Sequence, residues 1–600
     1  MRDGAPAVVR KSLAGSAAFL ISSLFVAYLL HRAAGAVSFP TREQLTLWMP
    51  VGFSLQSLLV AMLGLRLQRP RIGFYAIDAA AWSVPFLLLV QLKLGPTNVP
   101  LWFTLSIFAK LGAGLYTVWS ALREGAAESA SSWVAAGIIF VFFATPIPFL
   151  RQGPFGNELT GDEPHYMVES ISLIRDHDLL LEDEYRDRVY LPFYPQPLVP
   201  EAIPTVDGHL ASFHEPGLPL AETIPYALGG WKLVLVGMAA AAALAMRLLY
   251  STARLAGARP SVALLTTAAL AATSPVSSFA TQNANEIPLG LIVIASAHRL
   301  WLAERRSDLD ALWLGLILAP SPFIHARSLP FTIVFAGCGL LAWRTLRARF
   351  AILLPVLITA SGYVILNHAL FGRWVLSPTQ LLDYGVSPPT PAQALIAIAA
   401  SPWLDRFDGL LLLCPLVALA LAAIPLALRR GLAGWATALA LLGYAAITGA
   451  WSLVPSAHSF GPPARFMVPA LPLLGVLLAI ELEQVVASRR WLMPWLAVLG
   501  VWGLACSFLV FAARALTYAP LAVRMIPAQF LADLLGVPIQ YIIPNFGNPG
   551  FDSFLKLAAF AAALALLALM LGGIGRKSAP QRDRRPADHT PALRRAKPPD

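Results

Sequence analysis

The residues best suited to chemistry are Asp162-Glu163-Pro164-His165-Tyr166, which follow an apolar run from Trp133 to Leu150. Adjacent carboxylates where a chain leaves a bilayer repel each other and need cations, polar partners or hydration. Such a pair makes a poor core and a plausible site at a membrane surface. Three more polar clusters recur downstream: Phe213-His214-Glu215-Pro216-Gly217, His325-Ala326-Arg327-Ser328, and Ser459-Phe460-Gly461-Pro462-Pro463-Ala464-Arg465-Phe466. His165, Tyr166, His214 and Glu215 are candidates for holding an acceptor or a metal ion. Glu163 and His214 offer the oxygen and nitrogen donors that a divalent cation such as Mg or Mn would accept.

Each cluster also has a plainer reading. An acid before proline is an ordinary helix start, and His165 can pack or hydrogen-bond locally. His214 and Glu215 can cap the helix that follows them. Arg327 and Arg465 can snorkel to lipid headgroups. Asp405 and Asp408 suit helix caps, and Glu182-Asp183-Glu184 reads as a solvated surface.

The elements that must position these residues are apolar helices. With 57% hydrophobic and 13% charged residues, the chain is far more apolar than an average soluble domain. Apolar runs long enough to cross a hydrocarbon core of roughly 30 Å recur along its length. About sixteen spans are expected, near 13–31, 45–65, 73–93, 100–121, 132–150, 231–250, 261–280, 286–303, 311–325, 328–344, 350–371, 409–428, 434–451, 466–483, 491–512 and 554–574. The first follows Arg2, Arg10 and Lys11 and reads as a retained helix rather than a signal peptide. The expected fold is an all-α integral membrane bundle with extracytoplasmic juxtamembrane helices.

The net charge of +11 points to topology rather than to nucleic acid. Arg66, Arg69 and Arg71 open a series of basic turns that continues at Arg247 to Arg259, Arg305 and Arg306, Arg344 to Arg349, Arg429 and Arg430, and Arg489 and Arg490. With about sixteen spans these turns all fall on the cytoplasmic side, as do both termini. The basic, proline-rich 576–600 tail is expected to be disordered. The long segments 151–230, 372–408 and 513–553 then face outside, and loops of that length are commonly functional. Pro164 can start a helix through Arg175, with Met167, Ile171 and Ile174 forming an apolar face laid on the membrane, and 392–400 can do the same. Residues 1–125 form a four-helix module ahead of the acidic loop, in which Asp78 and Lys110 can pair. The cysteines Cys338, Cys414 and Cys506 lie in or beside apolar runs and read as small core residues.

Together, the acidic pair, the His214-Glu215-Pro216-Gly217 turn, the His325-to-Ser328 segment and the Ser459-to-Phe466 segment resemble the GT-C superfamily of membrane glycosyltransferases. The likeness is to bacterial relatives of protein O-mannosyltransferase and the aminoarabinose transferase. It covers about 133–512, and Leu404-Asp405-Arg406-Phe407-Asp408-Gly409 is similar to a further turn of those proteins. The first four spans depart from the commonest layout, in which the acidic loop follows the first helix. The resemblance implies a GT-C-like core over 126–575, a polyprenyl-phosphate-linked sugar as donor, and an acceptor on the extracytoplasmic side of the bacterial cytoplasmic membrane. No organic cofactor and no nucleic acid is implied.

Transfer from a lipid phosphate needs one base, because phosphate is already a good leaving group. Glycosidases, by contrast, use two carboxylates. Asp162 is the expected base and Glu163 its partner. Arg327, Arg465 and His325 are the expected phosphate-binding groups, since charge builds on the leaving phosphate. A transporter or lipid-linked saccharide flippase is the competing reading, which would place ionisable groups near the bilayer midplane on broken helices. An assembly scaffold, whose outer loops only bind partners, is a third.

Overall fold

A computed structural model describes residues 49–65, 81, 99–147, 159–302, 307–382, 390–405, 409–451 and 464–512. Asp78, Asp408, Ser459 to Pro463, the 513–553 loop and the 576–600 tail lie outside the described residues, as do spans 13–31 and 554–574 and, save residue 81, span 73–93. Every other expected span contains helix. Among the described residues six helices are long and apolar enough to cross a membrane. The remaining described helices are shorter than expected, for local reasons. Residues 261–280 break at Thr273, which is extended, into Pro260–Ala272 and Ser274–Phe279. Residues 409–428 fall into three pieces around Pro415 and Pro425, because proline supplies no amide hydrogen to the helix ladder. Residues 311–325 end as helix at Leu318, just before Pro320.

One apolar core runs continuously from Phe53 to Cys506. The Met49–Leu65 and Val99–Arg123 helices pack on Glu128–Ala144, which packs in turn on Gly217–Leu255. Lys110 is buried between the first two, its Nζ donating to Ser57 Oγ at 3.0 Å. Two helices stand out by what they leave uncovered. Leu346–Phe371 exposes Phe350, Leu354, Leu357, Ile358 and Ile365, and Met493–Ala512 exposes Trp495, Val498, Val501 and Leu504. Apolar surface that continuous is unfavourable in water and suits lipid.

Where helices approach closely, glycine makes room. A Cβ at Gly315 would lie 2.5 Å from Ala351 O, so Asp308–Leu318 meets Leu346–Phe371 backbone to backbone. Ser307 and Asp310 close a capping box at the start of the former helix, satisfying two of its free amides.

Three helices share a direction. The helical run Gly217–Leu255, kinked at Gly229 and Gly230, starts beside His214 and Glu215 and ends at Arg254. Glu286–Trp301 starts at Glu286 and ends beside Arg299. The run from Arg465 through Leu471–Ser488 starts at the last polar cluster and ends at Arg489. At their far ends Arg259 Nε pairs with Glu483 at 2.7 Å, Arg489 Nη1 with Glu481 at 2.8 Å, and Arg254 Nε with Glu128 at 2.5 Å. Arg430 reaches Ala256 O there as well. Arg254, Arg259, Arg430 and Arg489 thus gather at one end of the bundle. With a rise of about 1.5 Å per residue, the residues at the helix starts lie tens of ångströms away.

The acidic loop is a folded layer at that other end. Glu163–Arg175 is helical as expected, with Pro164 in its first turn. Its first two turns face the protein interior, while Ile171 and Ile174 stay half-buried. Residues 163–170 and Ser172 are all buried, because the helix packs against the start of Gly217–Leu255, where Ser170 Oγ donates to Pro219 O at 3.1 Å. A short antiparallel ribbon, Ala202–Pro204 with Leu210–Ser212, closes the layer. Pro391–Leu404 packs on Leu432–Trp451, with Ala397 O against Gly449, and leaves Leu395 exposed on its other side.

Candidate active site

The described residues of the four polar clusters come together near the starts of these helices, and Arg465 is the centre. Its Nη2 donates to Asp162 Oδ2 at 2.6 Å, and its Nε donates to Glu286 Oε1 at 2.7 Å. Ala464, just before it, adopts a left-handed backbone (φ 59) that aims the arginine, a conformation disfavoured for residues with a Cβ. Gly161, just before Asp162, is also left-handed (φ 63), which glycine adopts freely.

The two acids of the pair have different surroundings. Asp162 caps its helix by position but makes no capping hydrogen bond with its side chain, which is 28% exposed. Glu163 is buried and turns inward, accepting from Asn283 N at 2.7 Å and Thr160 N at 3.2 Å. It ties the acidic helix to the loop before Glu286. Asp162 is therefore the acid that a second molecule can reach. Burial opposes its ionisation, but the Arg465 guanidinium and then His214 outweigh burial and hold its carboxyl well below the usual range.

Two histidines sit behind Asp162. His214 Nε2 lies 2.6 Å from Glu201 Oε2, and this bond with the nearby Asp162 charge overcomes burial, raising the imidazole to about 9. His165 shares Glu201 at 3.7 Å and bonds Tyr185 OH through Nδ1 at 2.7 Å. Burial dominates there and brings it down to about 4, so His165 is neutral. Tyr166 OH accepts from Asn285 Nδ2 at 2.9 Å, which ties its ring to the loop before Glu286.

The third and fourth clusters meet through Glu215 and Phe466. Glu215 Oε1 accepts from Ser377 Oγ at 2.8 Å and Ala326 N at 3.2 Å and lies 3.5 Å from His325 Nδ1. The contact requires close backbones: a Cβ at Gly217 would sit 2.5 Å from Phe323 O. His325 is held neutral by burial and by Arg327, whose Nη2 lies 2.7 Å from His325 Nε2. The Arg327 guanidinium stacks over Phe466 at 4.1 Å, and its Nη1 is buried without a hydrogen-bond partner. Asp405 is buried at the end of Pro391–Leu404.

The arrangement does not fit a cation on Glu163 and His214. Glu163 accepts from two main-chain amides and His214 Nε2 is bonded to Glu201, so a cation on this pair would have to displace those contacts. Sequence reasoning also missed Glu286, Glu201, Tyr185 and Ser377. Glu286 left a signal: Gln282-Asn283-Ala284-Asn285-Glu286 is a polar turn between two apolar runs, followed by Pro288. Glu201 left none, standing alone in a proline-rich stretch. No family model matches the chain, and no curated protein matches it.

Proposed function

We propose that the protein is a GT-C-like glycosyltransferase of the bacterial cytoplasmic membrane. It moves a sugar from a polyprenyl-phosphate donor to a hydroxyl acceptor on the extracytoplasmic face. The observation that carries this reading is Arg465 bridging a reachable Asp162 and a buried Glu286, with a second guanidinium, Arg327, nearby and partly unsatisfied.

The bridge suggests how binding and chemistry are coupled. Paired with Arg465, Asp162 is too weakly basic to take a proton from an alcohol. A donor phosphate competes for the same guanidinium, and each charge drawn off Asp162 raises its proton affinity. The acceptor oxygen then attacks the anomeric carbon as its proton passes to Asp162. The carbon–oxygen bond to the phosphate breaks, and its electron pair leaves on the polyprenyl phosphate. Arg465 and Arg327 stabilise the charge that develops there, in a setting where such donors act strongly. Glu286 keeps Arg465 in place while Asp162 is released. No step needs a metal ion.

A transporter or flippase would use ionisable groups along a path through the bilayer. Here Asp162, His214, Glu286, Arg327 and Arg465 collect near the starts of the helices, which favours a surface reaction. The test is mass-spectrometric comparison of envelope glycans from cells with and without the protein. Loss of one sugar, restored by the parent chain and not by Asp162→Asn, is the expected result. Identical glycans would discard the reading.

A further inference from the structure

Outside this site, three carboxylates converge where the Glu163–Arg175 helix ends. Asp176, Asp183 and Glu184 each present an oxygen within 4.8 Å of the others. Asp176 is exposed and Asp183 half-buried. Glu184, expected on a solvated surface, is 0% exposed. Both its carboxylate oxygens are shut off from water with no donor on them, and the groups they face are the carboxyls of Asp176 and Asp183. A carboxylate so placed is strongly disfavoured unless a proton or a cation compensates it.

Among the described residues no basic side chain forms an ion pair with Glu184. Arg175 touches only the edge of the cluster, its Nε 3.9 Å from Asp176 Oδ2 and its Nη2 held by Asp187 Oδ2 at 3.1 Å. No ion pair reaches Asp183 or Glu184 among the described residues. The backbone meanwhile fixes the three acids in place. Asp187 N donates to Asp183 O at 2.7 Å, Val189 N to Glu184 O at 3.1 Å, and Asp176 N to Ser172 O at 2.8 Å. Ser172 Oγ closes the turn from the other side, donating toward Leu180 O at 3.0 Å and toward Asp178.

We propose that Asp176, Asp183 and Glu184 bind a divalent cation of the calcium type, at a site separate from Asp162. The donors are oxygen alone, which selects hard cations. Calcium takes oxygens at about 2.3–2.6 Å, so ligands on opposite sides of one ion lie about 5 Å apart, and the three acids fall inside that limit. Calcium also accepts irregular geometry completed by water, and the exposed Asp176 side leaves room for it. Magnesium demands a near-ideal octahedron and gives up its waters reluctantly.

The site has a structural consequence. Glu184 precedes Tyr185, whose hydroxyl bonds His165 Nδ1 at 2.7 Å. A bound ion staples the Glu182–Arg186 turn to the end of the Glu163–Arg175 helix, and so holds Tyr185 against His165. This proposal stands whether or not the protein transfers sugars.

The experiment uses the full chain purified in detergent and stripped with EDTA. Thermal unfolding is followed with added calcium or magnesium, and terbium luminescence excited through tyrosine reports occupancy directly. The parent is expected to melt several degrees higher in millimolar calcium than in EDTA, with a smaller gain in magnesium, and to sensitise terbium. Glu184→Gln keeps the shape and removes the buried charge. It should melt no lower than the parent in EDTA, yet lose the calcium gain and weaken calcium binding at least tenfold. Asp183→Asn, at the more open side, should weaken binding similarly and serves if Glu184→Gln does not fold. A parent indifferent to calcium, or variants that respond as the parent does, would overturn the site and leave Glu184 compensated by a proton.

Discussion

Arg465 Nη2 lies 2.6 Å from Asp162 Oδ2, although 303 positions separate the two residues. The same guanidinium holds Glu286 through Nε. The residue expected to bind donor phosphate is therefore bonded to the residue expected to act as base. In the proposed reaction that pairing becomes a switch, because phosphate and Asp162 compete for one cation.

Replacing Arg465 by Lys tests the fork. Lysine keeps the charge but cannot hold two carboxylates in one plane. Losing one charge-assisted hydrogen bond is expected to cost about 1.5–3 kcal/mol, read as a lower melting temperature. Donor binding should weaken about tenfold or more, while sugar analogues without phosphate bind as they do to the parent. Superimposable donor-binding curves for parent and Arg465→Lys would assign the arginine to structure alone.

Glycine 217 sets the distance between two of the clusters. Gly217→Ala pushes a methyl group against Phe323 O and should strain the Glu215–Ala326 contact. A loss of about 1–3 kcal/mol in stability is expected, as for other overpacked positions. Transfer should slow as well, because Arg327 lies next to that contact. A variant that melts and transfers like the parent would show that the two turns are not coupled.

The His214–Glu201 bond makes stability depend on alkaline pH. The folded imidazole titrates near 9, above its ordinary value of 6.5, so the folded state favours the protonated form. The stabilisation is complete below about pH 6.5 and is lost as pH rises through 9. It amounts to about 3 kcal/mol at most. Between pH 7 and 10 the melting temperature of the parent should fall more than that of His214→Gln. Parallel pH profiles would contradict this assignment.

Topology is open to labelling. Single cysteines at Asp207→Cys and Arg585→Cys, in a background free of Cys338, Cys414 and Cys506, should react differently with an impermeant reagent from outside. The exposed turn at 207 is expected to react and the tail to be protected. The reverse pattern would put the Asp162 site on the cytoplasmic side.

The helical, membrane-type character and the four polar clusters were legible in the sequence because both are local. Apolar runs carry their own length, and Asp-Glu-Pro-His or His-Ala-Arg-Ser stands out against them. Pairing was not legible. Nothing in the sequence near Arg465 says that its partners are Asp162 and Glu286, since helix packing sets that contact. Glu184 misled for the related reason that Glu182-Asp183-Glu184 is hydrophilic in composition, while tertiary packing buries only its last member. The Glu163–Arg175 helix was found, but its buried Glu169 and Ser170 belong to no amphipathic pattern, so its place inside the fold was not.

The central claim is that Asp162 takes the acceptor proton. The most direct measurement is single-turnover transfer from a polyprenyl-phosphate sugar by purified parent and Asp162→Asn in the same membrane mimic. Removing a positioned base commonly slows a reaction by about a hundred- to ten-thousandfold. The account predicts a loss of that size, with donor binding retained or tightened because Arg465 is freed for phosphate. Transfer by Asp162→Asn at the parent's rate would contradict it.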